Sequence, residues 1–491
     1  MKKTLSVYML MLIMLISAPA LAQTRALLVA CSDFVSQPDL GSAISGNLHM
    51  VGSVLLSADT PLHSLSIEDG TIASAQALSK AANDAFSPSK EGDLSILYLC
   101  THGVLSSADD GQVYLLLGNG ETENPLSASQ LFEIIEPFGG EKLLILDACY
   151  SGALIGRGMP QTIRLPGSRS EEPAFLSPFL RDPSIHVLTS AGGRESSWYY
   201  NSEALETGAV SYFASALSAA LGLYGTAEAD VSGDGSVSLA ELHSYLSIAV
   251  PSSSSQLLSA RADSLLLPAA SGSPLSRPLS GFSYGTSLLS TDDPTFDFSF
   301  TVSRENTGVQ YRLIDYDKGS WNWENAQIFV DDGDKGDGML SPGRKNRSLS
   351  LSDISPEDSG YLMLQVFSVS EDSLLLCSER LLAVQPADIA AQLMLTCSAD
   401  FHASGVSELS IDVHLSIPAE LTVSVYTEAG SLVRRLCASR LTRPTPDQIT
   451  RIFWDGRDAD GHIVPQGRYT IAAEAILGGA RVKAASNVVI R

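Results

Sequence analysis

Basic residues are scarce in this chain: 31 Lys and Arg stand against 55 Asp and Glu, a net charge of −24. That balance argues against nucleic acid or an anionic membrane surface as a partner. Cysteine is also sparse. Six residues, Cys31, Cys100, Cys149, Cys377, Cys397 and Cys437, are spread over 491 positions. They are too few for a disulfide scaffold and match no zinc spacing, so each reads first as a small buried hydrophobe. Beyond residue 22 no stretch is long and apolar enough to cross a bilayer.

What is present begins with an address. Lys2 and Lys3 precede an apolar run from Leu5 to Ile16, and small residues at Ala20 and Ala22 stand just before Gln23. This is the pattern of a secretory signal peptide over residues 1–22, with export to the periplasm, cell surface or medium, and no stable span after its removal. A hydrophobic fraction of 44% is ample for several cores in the remaining chain.

Residues 23–252 alternate short apolar runs with helical patterns. The runs are Ala26–Cys31, Leu62–Ile67, Leu94–Cys100, Val113–Leu117, Lys142–Asp147 and His186–Thr189; helical spacing occupies Thr71–Phe86 and Ser127–Ile135, among others. The expectation is an α/β domain with a mainly parallel sheet between helices. Residues 253–292, opening near Ser252-Ser253-Ser254-Ser255, have the composition of a Ser/Pro-rich linker. Residues 293–388 and 389–491 lose helical spacing and alternate polar with apolar residues, so two all-β sandwiches are expected. Neither carries a catalytic grouping, and both read as spacers or adhesion units.

Two strand ends carry the chemistry. Ile96-Leu97-Tyr98-Leu99-Cys100 runs into Thr101-His102-Gly103, and Leu143-Leu144-Ile145-Leu146-Asp147 runs into Ala148-Cys149-Tyr150-Ser151-Gly152. Open α/β sheets bind ligands beyond the carboxyl ends of their strands. A cysteine nucleophile needs a base, and an imidazole can take the thiol proton and return it to a leaving amine. Gly103 and Gly152 leave room for tight turns and a substrate backbone.

These segments resemble the caspase-like peptidases, in which a His-Gly follows one strand and an Asp-x-Cys-x-Ser-Gly or Gln-Ala-Cys follows the next, with the His about 50 residues before the Cys. Here the gap is 47 positions. Asp147-Ala148-Cys149-Tyr150-Ser151-Gly152 is closer to the metacaspase and bacterial version. Arg25–Asp33, Val187–Gly192 and Gly208–Phe213 resemble further segments of the family, so the likeness spans about residues 24–250. It implies Cys149 as nucleophile, His102 as base, and the backbone N–H groups of Gly103 and Cys149 as oxyanion donors. No third catalytic member is evident. Thr101 stands where relatives carry Gly.

The resemblance also implies a P1 pocket lined by Asp147 and Asp33, hence peptide or protein substrates cleaved after Arg or Lys; the alternative is that Asp147 merely caps a turn. Arg157, Arg164 and Arg169, in a Gly/Pro/Ser-rich loop, are either self-cleavage points or part of an ordinary surface loop. A catalytically inactive scaffold protein of the cell envelope is the alternative to a peptidase, and a different hydrolase using the same dyad is a third reading.

Asp230 to Glu241 follows the twelve-residue EF-hand loop, with Asp230, Ser232, Asp234, Ser236, Ser238 and Glu241 at ligand positions and Gly235 at the sixth. It is expected to hold Ca2+, in a structural or activating role, or to be a metal-free turn between helices. A second acidic cluster, Asp331 to Gly338, reads as a solvated hairpin. Asp358-Ser359-Gly360-Tyr361 resembles the corner of an immunoglobulin-like sandwich. Val423–Val433, Phe453–Gly461 and Pro465–Tyr469 resemble the Ig-like module of the flagellar hook-capping protein.

Overall fold

The computed structural model describes residues 22–106, 112–157, 177–201, 209–272, 277–292, 294–317, 320–351, 360–370, 373–385, 392–404, 407–442, 449–477 and 480–491. The expected signal peptide, apart from Ala22, lies outside the described residues, as do Arg164, Arg169, Asp358 and Ser359.

The first domain runs β1 (Thr24–Ala30), α1 (Ser42–Leu56), β2 (Ser64–Asp69), α2 (Ala75–Phe86), β3 (Leu94–Cys100), β4 (His102–Leu105), β5 (Val113–Gly118), β6 (Glu123–Leu126), α3 (Ala128–Ile135) and β7 (Glu141–Asp147). It continues with β8 (Ile185–Thr189), β9 (Tyr199–Asn201), β10 (Ala209–Ser211), α4 (Tyr212–Ala220), β11 (Val237–Ser238), α5 (Leu239–Ala249), β12 (Gln256–Leu258) and β13 (Leu266–Leu267). Six strands form the main sheet in the order β12-β8-β7-β3-β1-β2, parallel except at the β12 edge.

The near-continuous apolar character of β3 has a direct cause, since every one of its residues is buried. Alternate side chains leave a strand on opposite faces. Ile96, Tyr98 and Cys100 pack with Leu48 of α1, Phe213 of α4 and Leu242 of α5, whereas Leu97 and Leu99 pack with Leu78 of α2 and Leu131 of α3. Both faces are thus covered, as expected of a parallel sheet. The helices start where serines can cap them: Ser74 accepts from Ala77 N, and Ser127 forms a capping box with Gln130. The Ser74 cap starts α2 later than Thr71, where the helical spacing begins.

Two expectations need correction. Val113–Leu117 is not in the main sheet; β5 pairs antiparallel with β4 and β6 in a small sheet of their own. The local hairpin with β4 needs no crossover and takes the strand out of the parallel series. The serine-rich segment after residue 252 is also no free linker. Ser252, Ser253, Ser254 and Ser255 are buried. Ser253 Oγ donates to Ser190 O at 2.7 Å, and Ser254 N and Oγ donate to Glu195 at 2.6 and 2.9 Å. Hydroxyls that find such acceptors can be buried at little cost. The chain then adds β12 to the sheet edge and pairs β13 with β11.

The second unit begins within the expected linker, with β14 (Leu279–Tyr284) and β15 (Leu288–Ser290), and continues through β16 (Thr295–Val302), β17 (Gly308–Asp317), β18 (Ser320–Trp321), β19 (Gln327–Val330), β20 (Gly343–Ser350), β21 (Gly360–Ser370) and β22 (Ser373–Gln385). Sheet β14-β16-β20 contributes Phe296 and Phe300, and sheet β15-β22-β21-β17-β18 contributes Leu313 and Leu364, to one shared core. Two of the four acids of the 331–338 hairpin are ion-paired: Asp331 is held by Arg347, and Asp334 by Lys345.

The third unit comprises β23 (Leu393–Cys397), β24 (Asp400–Phe401), β25 (Leu409–Leu415), β26 (Glu420–Thr427), β27 (Leu432–Leu441), β28 (Ile449–Trp454), β29 (Gly467–Leu477) and β30 (Ala480–Ile490). Its sheets, β23-β25-β28 and β24-β30-β29-β26-β27, enclose Trp454, Ile411 and Ile471.

Both β units dock on the α/β domain. Trp321 Nε1 donates to Pro251 O at 3.1 Å, and Arg434 Nη2 donates to Ser259 O at 3.2 Å. Phe367 and Leu376 share the core of α4 and α5.

Candidate active site

Strands β3 and β7 are parallel neighbours with Cys100 opposite Asp147. The segments that follow leave the sheet side by side, and Thr101 N extends the ladder by one bond to Asp147 O at 3.2 Å. Gly103 then lies directly on the nucleophile turn. A Cβ at Gly103 would sit 1.7 Å from Cys149 O and 2.7 Å from Cys149 C. Only glycine permits that approach, which sets the residue after His102 against the Cys149 backbone. Thr101 is buried and donates its hydroxyl to Leu116 O. The residue that departs from the resembled pattern therefore ties the β3–β4 junction to β5.

His102 Nε2 lies 2.8 Å from Pro38 O, and its ring packs on Phe34 with centroids 4.7 Å apart. A carbonyl oxygen only accepts, so Nε2 carries the proton and Nδ1 presents the basic lone pair. Pro38 O therefore fixes the orientation of the His102 ring. Its loop is shaped by Leu40 N donating to Ser32 O at 2.8 Å and Phe34 N to Asp39 Oδ1 at 2.9 Å.

Cys149 is half-buried, with Sγ 3.8 Å from Ser197 O. Burial pushes its thiol up, and the Asp147 charge adds to that, while contacts with Ser197 and Ser196 oppose it. The next residue, Tyr150, adopts φ 58°, an unusual conformation for a side chain of this size. Its N–H donates to Glu195 O at 2.8 Å, and a buried 3-10 turn, Ser151–Ile155, follows. The elbow is held from outside rather than by its own preference.

Asp147 lies beneath the thiol and is only 3% exposed. It accepts from Tyr98 OH at 2.9 Å, Ser211 Oγ at 2.6 Å, Ser197 Oγ at 3.0 Å and Asn47 Nδ2 at 3.4 Å. Burial pushes its carboxyl up against the pull of these bonds. All four partners are neutral. Asp33 is placed differently. It is exposed, bonded by Ser32 Oγ at 2.7 Å, and faces Gly70 and Gly120. It follows β1, which is separated from β7 by β3.

Arg157 is buried and ion-paired with Glu408 through contacts of 2.5 and 2.6 Å. It is thereby removed from the expected set of self-cleavage points, since a protease must reach an extended, accessible bond. The Pro38 carbonyl, the Ser197 carbonyl and the left-handed conformation of Tyr150 were the parts missed in sequence. Main-chain oxygens have no sequence signature, and the left-handed Tyr150 is signalled only by the Gly152 that follows.

The loop from Asp230 to Glu241 joins α4 to α5. Asp230 accepts from Gly233 N at 2.8 Å, Asp234 N at 3.2 Å and Gly235 N at 2.9 Å. Glu241 accepts from Ser232 N at 3.0 Å and from Ser238 N and Oγ at 2.9 Å, completing a capping box on α5. The donor set is all oxygen, which suits calcium. Among the described residues, three His, Cys, Asp or Glu ligand atoms converge within 4.8 Å only at Asp458, Asp460 and His462. Asp230, Asp234 and Glu241 are therefore not drawn to one point.

Among the described residues no helix is long and apolar enough to cross a membrane. No curated protein matches the chain in sequence. Among solved structures, it is similar to caspase-1 from Spodoptera frugiperda, at 14% identity and a TM-score of 0.32, over 51% of this chain and 92% of that one. It is also similar to the periplasmic chaperone SfaE, at 14% identity and a TM-score of 0.24, over 43% of this chain and all of that one. Residues 398–479 match the FlgD Ig-like domain, and residues 5–170 match the CHAT domain, which has a caspase-like fold.

Proposed function

We propose that the α/β domain is a cysteine endopeptidase. Cys149 Sγ attacks the scissile carbonyl as its proton passes to His102 Nδ1; the C–N bond breaks as that proton goes to the leaving amine. Water then hydrolyses the thioester and restores the thiol. The oxyanion meets the N–H groups of Gly103 and Cys149. The observation that carries this reading is the closure at Gly103, with a Cβ-to-carbonyl approach of 1.7 Å. It sets the chain directly after His102 against the Cys149 carbonyl. The Pro38 carbonyl on Nε2 supports it by fixing the tautomer.

The preference is for Arg or Lys at P1. A buried carboxylate with only neutral partners gains from an incoming cation, and Asp147 is such a group. Asp33, exposed at the end of β1, is two strands away from it. The protein acts after export, in keeping with the leader-like start. Calcium at the Asp230–Glu241 loop would be held by Asp230, Ser232, Asp234, Ser236, Ser238 and Glu241, once the three carboxylates turned toward one point.

The test is peptide cleavage by the full chain against a positional library. Wild-type protein is expected to cleave after Arg or Lys, and Cys149→Ala and His102→Ala to be inert. A folded wild-type chain that cleaves nothing, and whose Cys149 resists alkylation, would leave the scaffold reading in its place.

A further inference from the structure

We infer that the C-terminal sandwich is a support for the nucleophile turn, with Arg157 and Glu408 as positioning residues; this rests on the peptidase reading above. The backbone of Arg157 closes the turn. Its N–H donates to Gly152 O at 2.8 Å, and its carbonyl accepts from Gly193 N at 3.0 Å. Gly152 in turn donates to Ala191 O at 2.9 Å, and a Cβ at Gly152 would meet Ala191 O, Gly193 N and Arg157 O within 3.0 Å. The stretch carrying Cys149 is thus knitted to residues 191–195 through Arg157.

The Arg157 side chain is anchored in another unit. Its two terminal nitrogens meet the two Glu408 oxygens at 2.5 and 2.6 Å, and its guanidinium lies 3.8 Å from the centroid of Phe453. Side-chain exposure is 8% for Arg157 and 13% for Glu408. A planar, bidentate, desolvated pair over an aromatic face is the geometry in which Arg is least replaceable. Its partners lie 251 residues apart in sequence. Removing one side leaves the other charge buried and unpaired.

The other flank of the thiol has the same kind of tie. Trp198, next to the Ser197 whose carbonyl meets Cys149, lies 5.6 Å from Trp323 of the middle sandwich. Trp323 also stacks on Tyr212 at 6.3 Å, and Tyr212 follows the Ser211 that bonds Asp147. Both β units therefore lean on segments that touch the reacting thiol or the carboxylate under it, which a mere spacer has no reason to do.

The experiment uses the full chain with Glu408→Gln, Arg157→Lys, the exchanged pair Arg157→Glu with Glu408→Arg, and the milder Phe453→Leu. Readouts are melting temperature, kcat and KM separately, and the pH profile of Cys149 alkylation by iodoacetamide. A misplaced nucleophile lowers kcat by about tenfold while KM stays within about twofold. Cys149 alkylation is expected to change with kcat, and the exchanged pair to recover part of the loss. If Glu408→Gln fails to fold, Phe453→Leu carries the test on the same readouts. Folded variants with wild-type kcat and wild-type alkylation would overturn the support role. If wild-type cleaves no peptide, the peptidase reading fails alone, and the alkylation rates still decide whether Glu408 controls the turn.

Discussion

The rim at Cys149 and the loop at Asp230 differ in how their residues come together. At the rim, the parallel register of β3 and β7, and a glycine with no room for a Cβ, set the segment after β3 against the Cys149 backbone. In the loop, twelve consecutive residues fold on their own carboxylates, and Glu241 is committed to the first turn of α5. The rim depends on the whole sheet. The loop is held mainly by its own carboxylates, with one two-residue pairing to β13. Damage at the rim should therefore be large and coupled to activity; damage in the loop should be small and confined to stability.

The largest effect is expected from Gly103→Ala. A methyl cannot occupy a point 1.7 Å from a carbonyl oxygen, so β4 or the nucleophile turn must move. Peptide cleavage should fall to background, and thermal unfolding should show a loss of about 2–3 kcal/mol, in the range of steric overpacking. Near-wild-type cleavage by this variant would mean that β4 has no part in the site.

Next comes the state of the thiol. Burial, with the Asp147 charge behind it, raises the Cys149 pKa. Thiolate is the reactive form, so alkylation should rise with pH through a midpoint above the ordinary cysteine value of about 8.5. A midpoint below that value would show a thiolate–imidazolium pair already formed at rest, with His102 charged rather than neutral. Asp147→Asn should lower this midpoint, because it removes the negative charge beneath the sulfur. It should also cut kcat/KM for Arg peptides at least about tenfold relative to neutral peptides, whereas Asp33→Asn should leave the ratio close to wild type. Equal effects of the two would restore the paired-carboxylate pocket.

The parts of the rim legible in sequence were the apolar strands, β3 and β7, after which His102 and Cys149 stand. Strand β3 announced itself because both its faces are buried. The orienting Pro38 carbonyl and the Ser197 carbonyl could not be read, since any residue supplies a main-chain oxygen. Composition misled at Ser252–Ser255: serine clusters are common in linkers, but here the Ser253 and Ser254 hydroxyls pair with Ser190 O and Glu195. The following Gln256-Leu257-Leu258 was the available sign of an edge strand. Arg157 was misread for a related reason. A loop arginine looks exposed until a glutamate far along the chain is known to meet it.

The smallest effect is expected in the loop, from Glu241→Gln. Burial pushes the Glu241 carboxyl up, but hydrogen bonds from Ser238 and Ser232 outweigh it and hold the group below its usual range. A carboxylate depressed in the folded state stabilises fully above the ordinary glutamate range, and that contribution is lost as pH falls through it. Without calcium, Glu241→Gln should cost about 1 kcal/mol at neutral pH, the worth of a capping interaction, with the difference from wild type fading on acidification. Peptide cleavage should be unchanged. Adding calcium should raise the melting temperature of wild type, by about 2.7 kcal/mol of stability at a hundredfold excess over the dissociation constant, and should do far less for the variant, which lacks the closing ligand. A calcium response of equal size in both would place the ion elsewhere in the chain. If wild type does not respond, the loop is a metal-free connection between α4 and α5.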